Sequence, residues 1–382
     1  MNVHLMGICG AGMSGLALWY RNLGHTVTGC DGDPSDEKSL SLEKHGIIVQ
    51  RGHSPEHLDN IQRLVFSAAV PGDNPELIAA GERGIPLLRR SEALAELSLN
   101  HTVVAVAGAH GKTTTTSMAG WIMQECGLDP TVFVGGNMNC WQGNFRPGGK
   151  IAVIESDEFD RTFLRLTPAH AAVTSYALEH LECYGSPEAL EWAFQAFLES
   201  VLPGGTVIVP MEKPGLGYWA GRIGRKVLRS GPGGEIDARQ GEYKGWGEKF
   251  TLFGCRGFLP SPGAHNIRNA QVAIALAMAC GVPAENAVKA LESWPGVSRR
   301  LEKIGEHNGT VFVSDYAHHP DEIAAALGSL KIPWKAPHGC LSAPPLLKDL
   351  PSPQGDGHCP ADRRQVIRAS DISRPGGTDP RC

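Results

Sequence analysis

Short apolar runs alternate with amphipathic stretches along the first hundred residues. The apolar runs have the length and composition of buried strands, and the stretches between them repeat their apolar positions with helical spacing. In chain order the predicted elements are a strand at 2–8, a glycine loop at 10–15, a helix at 13–23, strands at 26–30 and 64–68, and a helix at 75–83. This βαβ alternation predicts an α/β domain with a parallel sheet over residues 1–100.

A second unit with the same alternation opens at Thr102. A strand-like run is followed by a loop with two glycines and by a helical stretch that ends near Cys126. Further predicted elements are strands at 151–154, 171–174 and 206–209 and helices through 194–201 and 265–279. Residues 210–260 show no clear period, so no element is predicted there. The pattern indicates a central α/β domain over residues 101–298.

A third unit is predicted from residue 299, with a strand at 310–314 and a helix at 320–330. The composition and the hydrophobic pattern change after residue 331. Residues 332–382 hold 9 of the 27 prolines and 3 of the 10 cysteines and show no strand or helix period. Two interpretations are open: a tail without fixed structure, or an out-of-frame end that replaces a real domain. We favour the second, because an ordinary domain does not stop after its first βα unit.

Composition narrows the class of protein. A chain of 382 residues is too long for one compact core, and 42% hydrophobic with 20% charged residues is typical of globular proteins. The net charge of −5 argues against a nucleic-acid-binding protein. The ten cysteines form no C-x-x-C pair, which favours reduced thiols in a cytoplasm. We expect no signal peptide and no membrane span.

The strongest motif is the segment GAHGKTT at residues 108–114, between a predicted strand and a predicted helix. Glycines let backbone N–H groups approach phosphate oxygens, and the helix N-terminus adds positive potential. The lysine then reaches the outer phosphates and the first threonine ligates Mg²⁺. The candidate ATP-binding residues are Gly108, Ala109, His110, Gly111, Lys112, Thr113 and Thr114.

A second glycine motif, Gly10-x-Gly12-x-x-Gly15, follows the first strand, and Asp31 ends the next strand. This is the form of a dinucleotide fingerprint and indicates a diphosphate at a helix N-terminus. A nicotinamide cofactor, a nucleotide sugar and a purely structural turn all remain open. The nicotinamide hypothesis, an oxidoreductase, leaves the motif at 108–114 unexplained.

Four weaker signals accompany these motifs. An acidic run at 155–160 follows an apolar strand and either holds Mg²⁺ opposite the phosphate loop or is a solvated loop. His180 stands alone in the segment EHLE, where a histidine is more often structural than a ligand. Asn266 and Asn269 begin a helix, where they cap it or contact an adenine edge. Asp315 lies at a strand end before Pro320, which by itself indicates a turn.

Taken together and in this order, these motifs resemble the Mur ligase family. The resemblance covers residues 1 to about 331 and rests on GICGAGMSGLA, SAAVPGDNPEL, GIPLLRRSEALAEL, GAHGKTTTT, ESDEFDRTFL, EHLECYGS, PGAHNIRNA, GVSRRLE and DYAHHPDEI. The first domain and the segment RTFLRLTPAHAAVTS look most like the branch that adds L-alanine to UDP-N-acetylmuramate. The nearest alternative is the recycling branch that attaches an intact tripeptide to the same sugar.

The resemblance implies a three-domain cytoplasmic enzyme of peptidoglycan synthesis, a monomer or homodimer that uses ATP and Mg²⁺ and forms an acyl phosphate. Its first and third domains are Rossmann-like, and its central domain is of the P-loop ATPase type. The implied UDP-sugar ligands are Gly10, Ala11, Gly12, Met13, Ser14, Gly15, Asp31 and Ser67. Lys112, His180 and Glu155 are the implied catalytic residues, with Thr113, Glu155 and His180 as metal ligands. His265, Asn266, Asn269, Arg300 and Asp315 complete the implied ATP site.

The sequence departs from the family in two places. The family shows an Asn, a Glu and an Asp where this chain has Ser175, Ala177 and Glu179. The family's third domain continues beyond residue 331, whereas this chain runs into IPWKAPHGCLSAPPLLKDLP. We therefore expect the first two domains to fold, each around its own core, and ligation to be weak or absent. A protein that binds its nucleotides without turnover is the remaining alternative.

Overall fold

The computed structural model describes residues 1–34, 36–141, 143–178, 181–213, 215–216, 221–222, 224–307, 310–318, 320–331, 338–342 and 364–368. These residues form the α/β fold predicted from the sequence, with two parallel sheets as its main layers. None of the helices in these ranges is both long and apolar enough to cross a membrane.

The N-terminal sheet contains five parallel strands in the spatial order β3-β2-β1-β4-β5. The strands are β1 (Asn2–Met6), β2 (Thr26–Asp31), β3 (Ile48–Arg51), β4 (Arg63–Phe66) and β5 (Leu87–Arg89). The helices are α1 (Ala11–Asn22), α2 (Asp36–Glu43), α3 (Pro75–Glu82) and α4 (Arg90–Ser98), with a 3-10 turn at Pro55–Leu58. Strand β1 lies in the middle, so Val3, Leu5 and Met6 are fully buried, together with the polar His4 between them.

The first glycine motif is placed differently from the prediction. The loop is Gly7 to Gly10, and α1 already begins at Ala11, so Gly12 and Gly15 lie within the helix. Gly7 has a φ of 74°, a conformation that favours glycine. Helical glycines allow close packing, and a Cβ on Gly15 would lie 2.8 Å from Phe133 Cε2.

The central sheet contains seven strands in the order β12-β11-β10-β6-β9-β7-β8, and β8 alone is antiparallel to its neighbour. The strands are β6 (Thr102–Ala107), β7 (Thr131–Met138), β8 (Gly143–Arg146), β9 (Ile151–Glu155), β10 (His170–Val173), β11 (Thr206–Pro210) and β12 (Lys226–Ser230). The helices of this unit are α5 (Lys112–Glu125), α6 (Leu181–Tyr184), α7 (Pro187–Glu199), α8 (Ala264–Ala279) and α9 (Ala284–Ala290). Three 3-10 turns lie at Asn139–Trp141, Thr162–Arg165 and Leu291–Ser293.

The segment without a clear period forms a three-stranded antiparallel sheet of β13 (Arg239–Lys244), β14 (Gly247–Leu252) and β15 (Cys255–Leu259). Phe250, Leu252 and Leu259 pack from it into the core that contains α8. The turn between β14 and β15 consists of Phe253 and Gly254, with φ values of 51° and 78°. Positive φ at both positions is typical of a tight hairpin turn, but Phe is not the residue that normally signals one.

The third unit contains more than the single predicted strand. Strand β16 (Glu302–His307) pairs antiparallel with β17 (Thr310–Ser314), and α10 (Pro320–Lys331) follows. Within 332–382, where no element was predicted, the structure describes β18 (His338–Ser342) paired with β19 (Arg364–Arg368). The other residues of that segment, and with them the expectation of a tail without fixed structure, lie outside the described residues.

The N-terminal and central sheets share one apolar cluster, in addition to the cluster that each unit forms from its own residues. Trp19 on α1 stacks on Phe145 of β8 with ring centroids 5.5 Å apart and also contacts Phe133 of β7. Asn144 donates a hydrogen bond to the carbonyl of Ala11 in the same contact. The first helix is therefore packed directly on the edge of the central sheet.

We expect Gly15→Ala to lower the free energy of unfolding by about 1–3 kcal/mol, because the added Cβ overpacks the contact with Phe133 and Asn144. The matched control is Gly81→Ala in α3, where a Cβ meets no atom within 4 Å. Alanine is the better helix former, so the control should gain about 0.5–1 kcal/mol. Urea denaturation of both variants measures the difference, and equal effects would contradict the packing role of Gly15.

Candidate active site

The loop at 108–114 joins β6 to α5 and has a conformation that only glycine adopts easily. Gly108 has a φ of 125° and Gly111 a φ of 83°. A Cβ on Gly108 would lie 2.5 Å from Thr174 Oγ1, and one on Gly111 would collide with Asn269 Oδ1. The loop is thus pressed between the residues after β10 and the first turns of α8, with its helix N-terminus facing the carboxyl end of the sheet.

Two hydroxyl side chains after β10 hold the loop in place. Ser175 Oγ accepts a hydrogen bond of 2.8 Å from the backbone N–H of His110, and Thr174 Oγ1 donates one of 2.5 Å to the His110 carbonyl. Ser175 is one of the positions at which the sequence departs from the family it resembles. Its hydroxyl group therefore fixes the position of the loop, a role that the sequence did not predict.

Lys112 is held at the mouth of the loop by a carboxylate. Its Nζ lies 2.8 Å from both carboxylate oxygens of Glu158 and donates a 2.6 Å hydrogen bond to the Gly108 carbonyl. Burial raises the pKa of Glu158, while the neighbouring Lys112 ammonium opposes that rise. A phosphate bound at this loop is an anionic partner for the ammonium, as the Glu158 carboxylate is. Lys112 can therefore exchange the carboxylate for a phosphate.

Thr113 and Glu155 form an oxygen pair beside this lysine. Thr113 Oγ1 donates a 2.9 Å hydrogen bond to Glu155 Oε1, and the backbone N–H of Gly135 donates to Oε2. Burial beneath the loop raises the pKa of Glu155, opposed by the Gly135 N–H and by Lys112. Adjacent ligands of an octahedral Mg²⁺ with bonds of about 2.05 Å lie about 2.9 Å apart, so the pair fits this ion.

These groups border a cavity of about 600 Å³, a volume within the range of small-molecule sites. Its walls come from the loop, the acidic run and the third unit: Ala109, His110, Gly111, Lys112, Thr113, Thr114, Glu155, Asp157, Phe159, Arg300, His318 and Glu322. The sequence predicted the loop, Glu155 and Arg300 as parts of one site, and the structure brings them together.

The third unit reaches the phosphate loop through Glu322 on α10. Its Oε1 lies 3.3 Å from His110 Nδ1. Burial alone would raise the pKa of Glu322, but the contact with His110, the backbone N–H of His318 and the charge of Arg300 lower it to about 2. Glu322 and His318 lie in the segment DYAHHPDEI that carries part of the resemblance, but no role at the loop was predicted for either of them.

The acidic run at 155–160 does not act as one cluster of metal ligands. Glu155 contacts Thr113, Glu158 pairs with Lys112, and Asp160 accepts a 2.8 Å hydrogen bond from Nε of Arg90. Arg90 begins α4 of the N-terminal unit, and a Cβ on Gly12 would collide with its guanidinium. Arg90 therefore connects the first glycine motif with the acidic run.

Profile comparison assigns both units to one family. Residues 2–102 match the Mur ligase family, catalytic domain, and residues 106–277 match the Mur ligase middle domain. The chain belongs to the Mur ligase family. Mur ligases use ATP in peptidoglycan synthesis, and the cavity between the loop, Glu155 and Arg300 is a candidate site for this nucleotide.

Individual relatives agree with this assignment. The UDP-N-acetylmuramate–L-alanine ligase of Sinorhizobium fredii is 41% identical over 343 residues, which are 85% of this chain and 72% of the relative. That of Bradyrhizobium diazoefficiens is 42% identical, covering 85% and 73%. The crystal structure of the Thermotoga maritima UDP-N-acetylmuramate-alanine ligase superposes with a TM-score of 0.77 at 28% identity, covering 87% of this chain and 77% of the other.

A second solved structure represents the recycling branch. The UDP-N-acetylmuramate:L-alanyl-gamma-D-glutamyl-meso-diaminopimelate ligase from Neisseria superposes with a TM-score of 0.71 at 27% identity. It covers 78% of this chain and 99% of its own. The fold alone therefore does not separate this Mur ligase from the tripeptide-adding branch.

The residues predicted around the first glycine motif lie in two groups. Asp31 Oδ2 accepts a hydrogen bond from the Cys9 N–H, and Ser67 lies against Gly7, so both flank the loop at strand ends. Gly10 and Ala11 are exposed at the start of α1, with Ser14 partly exposed beside them. Met13 and Gly15 are instead buried, and Gly12 lies against Arg90.

The predicted adenine contacts are only partly assembled. Asn269 lies against Gly111, but Asn266 is buried and donates hydrogen bonds to Ser261 and Pro262. His265 borders a separate cavity and not the cavity at the loop. Burial lowers the pKa of its imidazole to about 4. The Asp315 carboxylate binds the backbone N–H groups of Leu301 and Ala317. Roles for these residues in binding ATP stay predictions, and His180 lies outside the described residues.

Proposed function

We propose that this Mur ligase joins L-alanine to UDP-N-acetylmuramate at the expense of ATP, through an acyl phosphate on the sugar's lactyl carboxylate. The observation that carries the proposal is the arrangement of Lys112 and the Thr113–Glu155 pair around one cavity behind a glycine loop. The names of the relatives from Sinorhizobium and Bradyrhizobium support the choice of amino acid and sugar. Because both substrates and ATP are cytoplasmic metabolites, we place the reaction in the cytoplasm.

Each residue of the cavity has a definite task in this proposal. ATP supplies the phosphoryl group that activates the carboxylate. Lys112 leaves Glu158 and neutralises charge on the phosphoryl oxygens as it moves. Thr113 and Glu155 hold one Mg²⁺, and His180 is proposed for a second. Arg300 adds positive charge from the opposite wall and, with Asp315 ordering the turn beside it, closes the site.

We further propose that residues 1–100 bind the UDP-sugar at the Gly7–Gly10 turn and the start of α1. The partly exposed N-terminus of α1 favours a diphosphate, and Asp31 and Ser67 border the same turn. Arg90 joins this helix to the acidic run through Asp160. Residues 101–298 then form the ATP-binding domain, and residues 299–331 contribute the remaining wall of the cavity.

The test is release of inorganic phosphate from Mg-ATP and UDP-N-acetylmuramate, with and without L-alanine. We expect release that depends on both the sugar and L-alanine. A parallel reaction replaces L-alanine with the tripeptide L-alanyl-γ-D-glutamyl-meso-diaminopimelate, and a higher kcat/KM for the tripeptide would assign the chain to the recycling branch.

The same assay decides the question raised by the C-terminal segment. Weak or absent ligation, expected from the sequence beyond residue 331, stays a prediction. If ATP and UDP-sugar bind in calorimetry but neither amine substrate releases phosphate, the chain is a binding protein and the ligase proposal is wrong for it. Turnover comparable with that of the Thermotoga relative would contradict the expected impairment.

A further inference from the structure

Four side chains able to ligate a metal ion converge inside the N-terminal unit, and none of them borders the nucleotide cavity. His4 lies on β1, Cys30 on β2, His57 on the 3-10 turn Pro55–Leu58, and Glu76 in the first turn of α3. One donor atom from each lies within 4.8 Å of all the others. The four residues come from four separate elements, so they do not form a recognisable sequence motif.

Three polar atoms of this cluster are buried without a hydrogen bond of good geometry. The side chains of His4 and Glu76 are fully buried, with 0% exposure. Within the described ranges, His4 Nε2, His57 Nδ1 and Glu76 Oε1 make no hydrogen bond of acceptable geometry, although Nε2 and Oε1 are only 2.8 Å apart. Buried polar atoms without partners are costly, and three at one point indicate a ligand.

The ring of His4 is oriented as in a metal site. Its Nδ1 lies 2.7 Å from Thr28 Oγ1. In the tautomer that donates Nδ1–H to Thr28, Nε2 presents a lone pair to Glu76 Oε1, which also presents a lone pair. Such a contact is repulsive unless a proton on Nε2 or a bound cation joins the two atoms. Metal-ligating histidines are characteristically held by a hydrogen bond from their other ring nitrogen.

We propose that His4, Cys30, His57 and Glu76 form a binding site for Zn²⁺. Glu76 Oε1 lies 2.8 Å from His4 Nε2 and 3.5 Å from His57 Nδ1, and Oε2 lies 3.1 Å from Cys30 Sγ. Ligand atoms of a tetrahedral Zn²⁺ are about 3.3–3.7 Å apart, so small side-chain adjustments create the site. Two imidazoles, one thiolate and one carboxylate are donors that suit this ion.

The partly exposed side chain of His53 lies beside the cluster. Its Nδ1 lies 3.2 Å from Cys30 Sγ and 3.4 Å from Glu76 Oε2, and its side chain is 24% exposed. The ion would connect β1, β2 and α3 next to Asp31, the last residue of β2. Because Asp31 follows Cys30 directly and holds the Cys9 N–H, we expect bound Zn²⁺ to stabilise the proposed UDP-sugar turn without taking part in the chemistry.

The experiment is a Co²⁺ titration of the untagged, chelator-treated full chain, followed by displacement with Zn²⁺. We expect one equivalent of Co²⁺ to give a thiolate-to-cobalt charge-transfer band, which Zn²⁺ abolishes. The proposed Mg²⁺ pair of Thr113 and Glu155 contains oxygen donors only and cannot produce this band. Cys30→Ser should lose the band, whereas the matched variant Cys255→Ser should keep it.

Thr28→Val provides a variant that leaves every ligand in place. It removes the hydrogen bond that orients His4, so the affinity for Co²⁺ should fall about 10–100-fold while circular dichroism stays unchanged. Absence of the band in the unmodified protein, or an undiminished band in Cys30→Ser, would overturn the proposal. The measurement needs no substrate, so its outcome is independent of whether the chain is a ligase.

Discussion

Replacing Lys112 with Met is expected to lower alanine-dependent phosphate release by about 10³-fold. Charge on a moving phosphoryl group is stabilised by fixed cations, and the loss of one such donor typically costs two to three orders of magnitude. The substitution also leaves the Glu158 side chain, which is 3% exposed, without its ammonium partner. Removing one member of a buried ion pair is strongly destabilising, so the single variant combines a catalytic effect with a folding effect.

A double variant separates these two effects. Lys112→Met with Glu158→Gln removes both charges, and we expect its unfolding temperature to lie within a few degrees of that of the unmodified chain. Its activity should remain about 10³-fold reduced, since Gln does not replace the cation. The matched control is Lys249→Met, a lysine 53% exposed and paired with an exposed glutamate, which should keep full activity. An active double variant would show that Lys112 acts only by neutralising Glu158.

The inner strands β1 and β6 of the two main sheets were predictable because they are buried on both faces. Val103, Val104 and Val106 of β6 are at most 3% exposed, so the strand reads as one apolar run between polar neighbours. Strand β13 has the opposite character: four of its first five residues are exposed or charged, and only Tyr243 is large and apolar. Its pairing with β14 depends on backbone hydrogen bonds and a short turn, which the side-chain pattern does not encode.

The candidate site was predictable where it is contiguous in the chain. Gly108 to Thr114 forms the loop with its own local geometry, so the motif was sufficient to find it. The contacts of Glu322 with His110 and of Arg90 with Asp160 join elements from different units. Such pairs follow from the arrangement of the sheets. A sequence alone gives no indication of which carboxylate meets which cation.

Glu155→Gln is expected to change activity and stability in opposite directions. The substitution removes the charge that completes the proposed Mg²⁺ pair with Thr113, so kcat/KM for phosphate release should fall by about 10²–10³-fold, the loss of several kcal/mol of charge stabilisation. The control Glu125→Gln changes an exposed carboxylate at the end of α5. It should leave kcat/KM and the free energy of unfolding unaltered.

The stability effect follows from the raised pKa of Glu155. Burial lifts this pKa above the ordinary value of 4.5, so the folded protein binds the proton more tightly than the unfolded chain. Between the ordinary and the raised pKa, the stability contributed by this group therefore falls as the pH rises, and at neutral pH the buried charge is a net cost. Gln removes that cost, and the ligand-free variant should gain about 1 kcal/mol in urea denaturation at pH 7. A variant that loses both activity and stability would mean that Glu155 is needed for the fold and would remove the basis for assigning it to the metal.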